Sequence, residues 1–297
     1  MYLPVVYLLV GLVLLLVSGV LVYRWGWKAL YVLVPVVAVQ GAYFSLSVEG
    51  FSAEFITMVV SPMVVGAVGG YSFKTKRSYQ FFMTVSTLPL VLVLSLNYYG
   101  LKVFKNQDLV LQSKDRLVAL LKTAEMSEEE KADLLKKVDS SIEMLGGVMP
   151  FTYFLNTLFV ALLGYVLLKF VLFKYMGRSG DGTDGIAYFK MSDYLIFVLI
   201  AAWAAVLLAD REKLNGLFLL GLNTALIFSV FYLVQAVGIV KYYLLKKNLP
   251  PFILPAGILG LLLLGVEAIL FVSVVLLSIG AIDFWADFRK LETHVKE

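Results

Sequence analysis

The residues best suited to chemistry sit near the end of the chain, where Gly280 to Lys290 reads GAIDFWADFRK. Asp283, Asp287, Arg289 and Lys290 fall here among three aromatics. Paired carboxylates beside cations can serve acid–base chemistry or help to hold a metal. On a continuing helix Asp283 and Asp287 share a face and Lys290 follows on it, while Phe284, Phe288 and Leu291 take another. Two carboxylates supply too few oxygens for a calcium or magnesium site. The expected role is therefore an interfacial anchor, with aromatics among the headgroups, charges in water and local Asp–Lys or Asp–Arg pairs. Asp283, Asp287 and Arg289 are retained as candidate contacts to the loops of the rest of the molecule.

A second set of polar groups lies inside strongly apolar stretches. Glu267 stands near the middle of the last of them, and Gln40, Asn156, Asn223 and Gln235 occupy others. A charged side chain at mid-membrane costs about 2.5–3.5 kcal/mol on insertion scales, so such groups face a bundle interior or a cavity and need partners. Glu267, Asn223, Gln235 and Gln40 are the candidates for binding a polar solute, against the alternative that the amides bond between helices. Catalysis and a resident cofactor are not expected. The chain has no cysteine, its one histidine is His294, and Walker A, G-x-S-x-G and H-E-x-x-H sequences are absent. Gly177 to Gly185, GRSGDGTDG, lacks the spacing of a calcium loop and reads as a linker.

Long apolar elements must position these groups. Of 297 residues 61% are hydrophobic and only 15% charged, against about 25% charged in soluble domains. Apolar runs recur over 4–23, 29–46, 55–73, 79–97, 149–173, 192–209, 215–240 and 252–281. A helix needs about 20 residues to cross the hydrocarbon core, so the expectation is an all-α polytopic membrane bundle of about eight spans. The first run has no basic n-region and no small-residue cleavage site, so it reads as a retained span. The net charge of +4 is spread over loop clusters, which points to the positive-inside rule and not to nucleic acid. Arg24 and Lys28, Lys74 to Arg77, Lys174 to Lys190 and Lys241 to Lys247 put the odd-numbered loops in the cytoplasm and both termini outside. Arg289, Lys290 and Lys296 pull the other way.

Residues 102–145 are different, carrying eight Lys or Arg and nine Asp or Glu. Leu117, Leu120, Leu121 and Ala124 form one helical stripe, and Leu134, Leu135, Val138, Ile142 and Leu145 a second. Ser127 with Glu130 is a capping box between them. The expected organisation is thus spans one to four in 1–100, an extramembrane helical hairpin in 101–147, spans five to eight in 148–283 and an interfacial tail in 284–297. Pro35, Pro62, Pro89 and Pro255 punctuate the spans. Gly66 and Gly70, and Ala201 and Ala205, make small-x-x-x-small pairs for close helix packing.

Three stretches carry a resemblance: the GLN run at Gly221–Asn223 followed by LVQAVGIVKYYL, the opening MSDYLIFVLIAAW from Met191, and the ending IGAIDFWADFRK. Together they resemble the YybS-like family of bacterial predicted membrane proteins, over nearly the whole chain and most strongly from about 190 to 290. Ser192 stands where that family commonly has a proline. The resemblance implies a bacterial cytoplasmic membrane location and no established activity. The family is sometimes grouped with the substrate-binding subunits of energy-coupling-factor vitamin transporters, which would imply a helical bundle that captures a small-molecule solute and docks on an energising complex. This chain departs from those subunits in its number of spans, in its hydrophilic hairpin and in having Leu15 four residues after Gly11 where they carry an Ala-x-x-x-Ala face. Two functions are therefore expected to compete. One is a transporter-like solute-binding membrane subunit. The other is a non-transporting scaffold that meets a protein partner or a second copy through the hairpin and the small-residue faces. The lipid bilayer is the surrounding medium for both.

Overall fold

The computed structural model describes residues 3–47, 55–104, 110–111, 114–115, 117–119, 128–176, 185–209, 216–250 and 252–290, and among these it is helical with no strand. The helices are α1 (Leu3–Trp25), α2 (Leu30–Ser47), α3 (Ser61–Thr75), α4 (Tyr79–Phe104), α5 (Glu128–Gly147), α6 (Met149–Met176), α7 (Leu195–Leu208), α8 (Gly216–Lys246), α9 (Ile253–Leu263) and α10 (Val266–Ala286). The chain is a polytopic helical membrane bundle, since six helical runs are long and apolar enough to cross a membrane. Backbone groups in lipid must be satisfied within their own segment, and a helix does so residue by residue.

Six such runs and eight expected spans differ for physical reasons. The run Leu9–Ala42 merges most of the first two spans into one. A 3₁₀ turn over Gly26–Ala29 separates them, and Gly26 has φ +60°, a conformation that glycine adopts without strain. The sixth span shrinks to the 14 residues of α7, about 21 Å of helix against a hydrocarbon core of about 30 Å. The eighth breaks in two at Gly265, whose φ of +92° and ψ of 176° stop α9 and start α10 afresh.

The described chain divides into two compact units, residues 1–75 with 84–171 and residues 76–83 with 172–297. In the first unit α1 and α3 run side by side. A Cβ built on Gly66 would land on the Leu15 carbonyl, and one on Gly70 would land on the Gly19 carbonyl. The expected Gly66–Gly70 face is therefore the α1–α3 contact, where backbones approach because no side chain intervenes. Leu15 is buried within this contact and Gly19 lends its own backbone. A π-helical turn, Ile56–Val60, precedes α3. Pro62 lacks an N–H and cannot bond the Met58 carbonyl, and both the N–H and the hydroxyl of Ser61 donate instead to the Ile56 carbonyl. Gly11 sits opposite, so a Cβ there would lie 3.4 Å from the Pro62 ring.

α2 follows the turn beside Lys74, and Ala29 of that turn with Leu33 of α2 shares a core with Phe55, Val59 and Met63. Elsewhere in this unit Ile142 of α5 packs against a core of Ile56, Leu94, Tyr98, Val110 and Tyr153. Leu134, Leu135, Val138 and Ile142, expected as one stripe, are half-buried, while Leu145 is exposed. Leu120, Leu121, Ala124 and Ser127 lie outside the described residues.

In the second unit α8 is central and packs with α7 and α10. Gly221 of α8 meets the Cβ of Ala205 and the Ala202 carbonyl of α7. The α7 face therefore runs through Ala202, Ala205 and Val206, whereas Ala201, expected as Ala205's packing partner, is exposed. The reason is register: residues four apart on a helix share a face only approximately, and Gly221 sets which side of α7 is covered.

Candidate functional site

Two of the tail's charged residues, Asp283 and Arg289, fold inward, while Asp287 is half-buried and Lys290 exposed. α10 ends at Ala286, and Asp287 takes a left-handed conformation (φ 36°) as its cap, with its N–H donating to the Asp283 carbonyl at 3.0 Å. The chain then turns back, the Lys290 N–H donating to the Asp287 carbonyl at 2.8 Å. Asp283 and Arg289 are buried and paired at 2.8 Å, with both side chains 0% exposed. The expected helical continuation and solvated charges are thus replaced by a hook. An uncompensated charge at this depth is costly, and a six-residue reversal lets the guanidinium neutralise the carboxylate.

Around this pair the donors and acceptors are closely matched. Asp283 Oδ2 accepts from Arg289 Nη2 and, at 2.9 Å, from Gln235 Nε2 of α8. Asp283 Oδ1 accepts from the Phe288 N–H at 3.0 Å. Arg289 Nη1 donates to the carbonyls of Ala187 and Phe189, each at 2.9 Å. Gln235 Oε1 accepts from the Met191 N–H at 2.8 Å, and Gln235 Nε2 also approaches the Gly280 carbonyl at 3.2 Å. The Tyr243 hydroxyl donates to the Phe288 carbonyl at 2.7 Å. Arg289 Nε is buried without a hydrogen-bond partner.

Two glycines make room for this network. A Cβ on Gly238 would land on the Ile186 carbonyl, and one on Gly280 would land on the Tyr232 carbonyl. The first presses the 186–191 segment onto α8 and the second presses α10 onto α8. That segment was the part missed in the sequence. Ala187, Phe189 and Met191 are buried while Tyr188 between them is exposed, an alternation of period two readable in IAYFKM.

The solute-binding candidates do not converge. Gln235 is fully engaged in the Asp283–Arg289 network. Asn223 is buried and donates through Nδ2 to the Leu219 carbonyl one turn earlier on its own helix, at 2.8 Å. Gln40, in the first unit, is half-buried and its Oε1 has no partner. Glu267 is not at mid-helix. It occupies the first turn of α10, just past the break at Gly265, and is exposed among the exposed Leu264, Val266, Leu270 and Phe271. Two open grooves have apolar linings. One of about 510 Å³ lies between α8 and α10, with Lys247 at its edge, and one of about 620 Å³ lies between α2 and α3.

The model of the family described as predicted membrane protein (DUF2232) matches residues 1–284. The chain belongs to this family. The match takes in Asp283 and stops short of Arg289, and it is consistent with the YybS-like resemblance drawn from the GLN, MSDYL and IGAIDFW stretches. No curated protein and no solved structure matches the chain.

Proposed function

We propose that this DUF2232 protein is a non-enzymatic, multi-pass subunit of a larger assembly in the bacterial cytoplasmic membrane, joined to a second membrane protein through α9 and α10. The observation that carries this reading is the exposed Glu267 at the break of the last span. No residue of α9 is buried, and of α10 only Gly280 and Asp283 are. Lipid alone covers an apolar helix well, but it offers a carboxylate no partner, so an exposed Glu267 among exposed apolar neighbours favours a cation or hydrogen-bond donor brought by another helix. Glu267 also stands in the first turn of α10, where the helix N-terminus favours an acidic side chain.

Of the two expected functions, the scaffold or assembly role is the better supported, because the four solute candidates point to four different surroundings. The transporter-like reading retains one favourable observation, the discontinuity at Gly265, since broken helices in transporters flank the site of a solute or coupling ion. The distant likeness to energy-coupling-factor subunits would make the partner an energising complex, and docking is common to both readings.

Site-specific photo-crosslinking in native membranes tests the proposal. A crosslinker at Leu263 or Phe271 is expected to capture the same partner, and Glu267→Ala is expected to abolish both products. A probe at Leu92 of α4 serves as the exposed control. Equal products at Leu92, or products at Leu263 that survive Glu267→Ala, would sink it. Native mass spectrometry of the purified protein separates the readings, because a retained polar small molecule favours solute capture.

A further inference from the structure

The α2–α3 groove of about 620 Å³ lies within the first unit and has only Leu, Val, Ala, Gly, Phe and Met in its lining, from Leu30 to Ala42 on α2 and from Phe55 to Ala67 opposite. Twelve helical residues rise about 18 Å, close to the roughly 15 Å depth of one leaflet's hydrocarbon. The groove is thus a slot of one acyl chain's length, running from an interface inward.

Its outer end is marked chemically. Immediately before Leu30 come Arg24, Trp25, Trp27 and Lys28, all exposed, and Lys74 is exposed on α3 two turns beyond Ala67. The Lys74 ammonium donates to the Arg24 carbonyl at 3.3 Å and lies 3.2 Å from a Cβ built on Gly26, so it is drawn to the turn that carries Arg24 and Lys28. Trp27 packs on Tyr71 of α3 with centroids 5.1 Å apart. Tryptophan and tyrosine settle at the headgroup level, and clustered lysine and arginine there attract anionic lipid. Three cations stand at the mouth and no acidic residue lies between Tyr23 and Leu46 or between Phe55 and Phe104.

We infer that the α2–α3 groove seats one acyl chain of an anionic phospholipid whose phosphate headgroup is held by Arg24, Lys28 and Lys74. The apolar lining supplies affinity for the chain and the cations supply selection among headgroups. This inference is independent of the α9–α10 docking proposal, which concerns the other unit.

The full-length protein, purified in detergent and stripped of lipid, can be titrated with phosphatidylglycerol or with phosphatidylcholine of the same chains and read by native mass spectrometry. The wild type is expected to retain phosphatidylglycerol about ten-fold over phosphatidylcholine. Arg24→Gln combined with Lys28→Gln is expected to erase that preference, and Ala38→Phe, at an exposed groove position, to lower retention of both lipids several-fold. Elution volume and thermal melting in phosphatidylcholine micelles establish that each variant is folded. Equal retention of the two lipids by the wild type, or an unchanged preference in the charge variant, overturns the inference. So does displacement by soluble glycerol phosphate, which would make a free phosphate the ligand, or a lipid-free dimer, which would make a second copy the cover.

Discussion

Asp283 is the residue on which the second unit's polar interior depends. Its two oxygens take three donors, from Arg289, Gln235 and the Phe288 N–H. Asp283→Asn leaves the Arg289 guanidinium buried beside a neutral amide, and removing one member of a buried pair costs about 3–5 kcal/mol. Thermal or denaturant unfolding in detergent is expected to register that loss. Asp283→Asn with Arg289→Met is expected to lose less than the sum of the single changes, because no lone charge then remains. A melting point for Asp283→Asn indistinguishable from wild type would show the pair to be energetically idle. The residue types of this site were readable in the sequence, as was the expectation of a local Asp–Arg pair, whereas helical spacing did not give the pairing of Asp283 with Arg289. Asp283 and Asp287 are four apart and Lys290 follows, so a helical reading couples them. The left-handed cap at Asp287 ends the helix and delivers Arg289 instead.

At the scale of elements, glycines decide where helices stop and how closely they meet. Gly265 adopts a backbone region open essentially to glycine alone. Gly265→Ala is expected to cost about 1–3 kcal/mol or to straighten α9 into α10, and the distance between spin labels at Leu254 and Ser278 would report which. Gly66→Leu is expected to force α1 from α3, since even a Cβ there overlaps the Leu15 carbonyl. Overpacking of that kind costs typically about 1–3 kcal/mol, so a lower melting point is expected and wild-type stability would refute the contact. The Gly66–Gly70 face was legible as a G-x-x-x-G pattern, although its partner surface, Leu15 and Gly19, was not. The π turn before α3 follows from Pro62 once the helix is known. The break at Gly265 was hidden because ILPAGILGLLLLGVEAIL is apolar apart from Glu267, and hydropathy measures transfer into lipid without recording direction.

At the scale of the molecule, the exposed apolar surface of α9 and α10 calls for either lipid or protein. The absence of cysteine makes this measurable, because a single Leu263→Cys change creates the chain's sole thiol. A nitroxide there is expected to show high oxygen accessibility in reconstituted vesicles and several-fold lower accessibility in native membranes, where a partner covers it. Equal accessibility in the two settings would argue that lipid alone covers this face.

Composition and apolar run length alone determined that this is a polytopic all-helical membrane protein, because the transfer of some 20-residue apolar segments into lipid is a sum over residues and needs no knowledge of neighbours. The same local reasoning located the small-residue face at Gly66–Gly70 and the polar residues worth attention. Tertiary structure decided which of those residues meet. Gln235 joins Asp283 across 48 positions and Arg289 joins Ala187 across 102, while Glu267 lies exposed just past the positive φ at Gly265. Hydrogen bonds and buried ion pairs depend on distances of about 3 Å between groups far apart in the chain, and those distances exist only once α8, α10 and the 186–191 segment have packed.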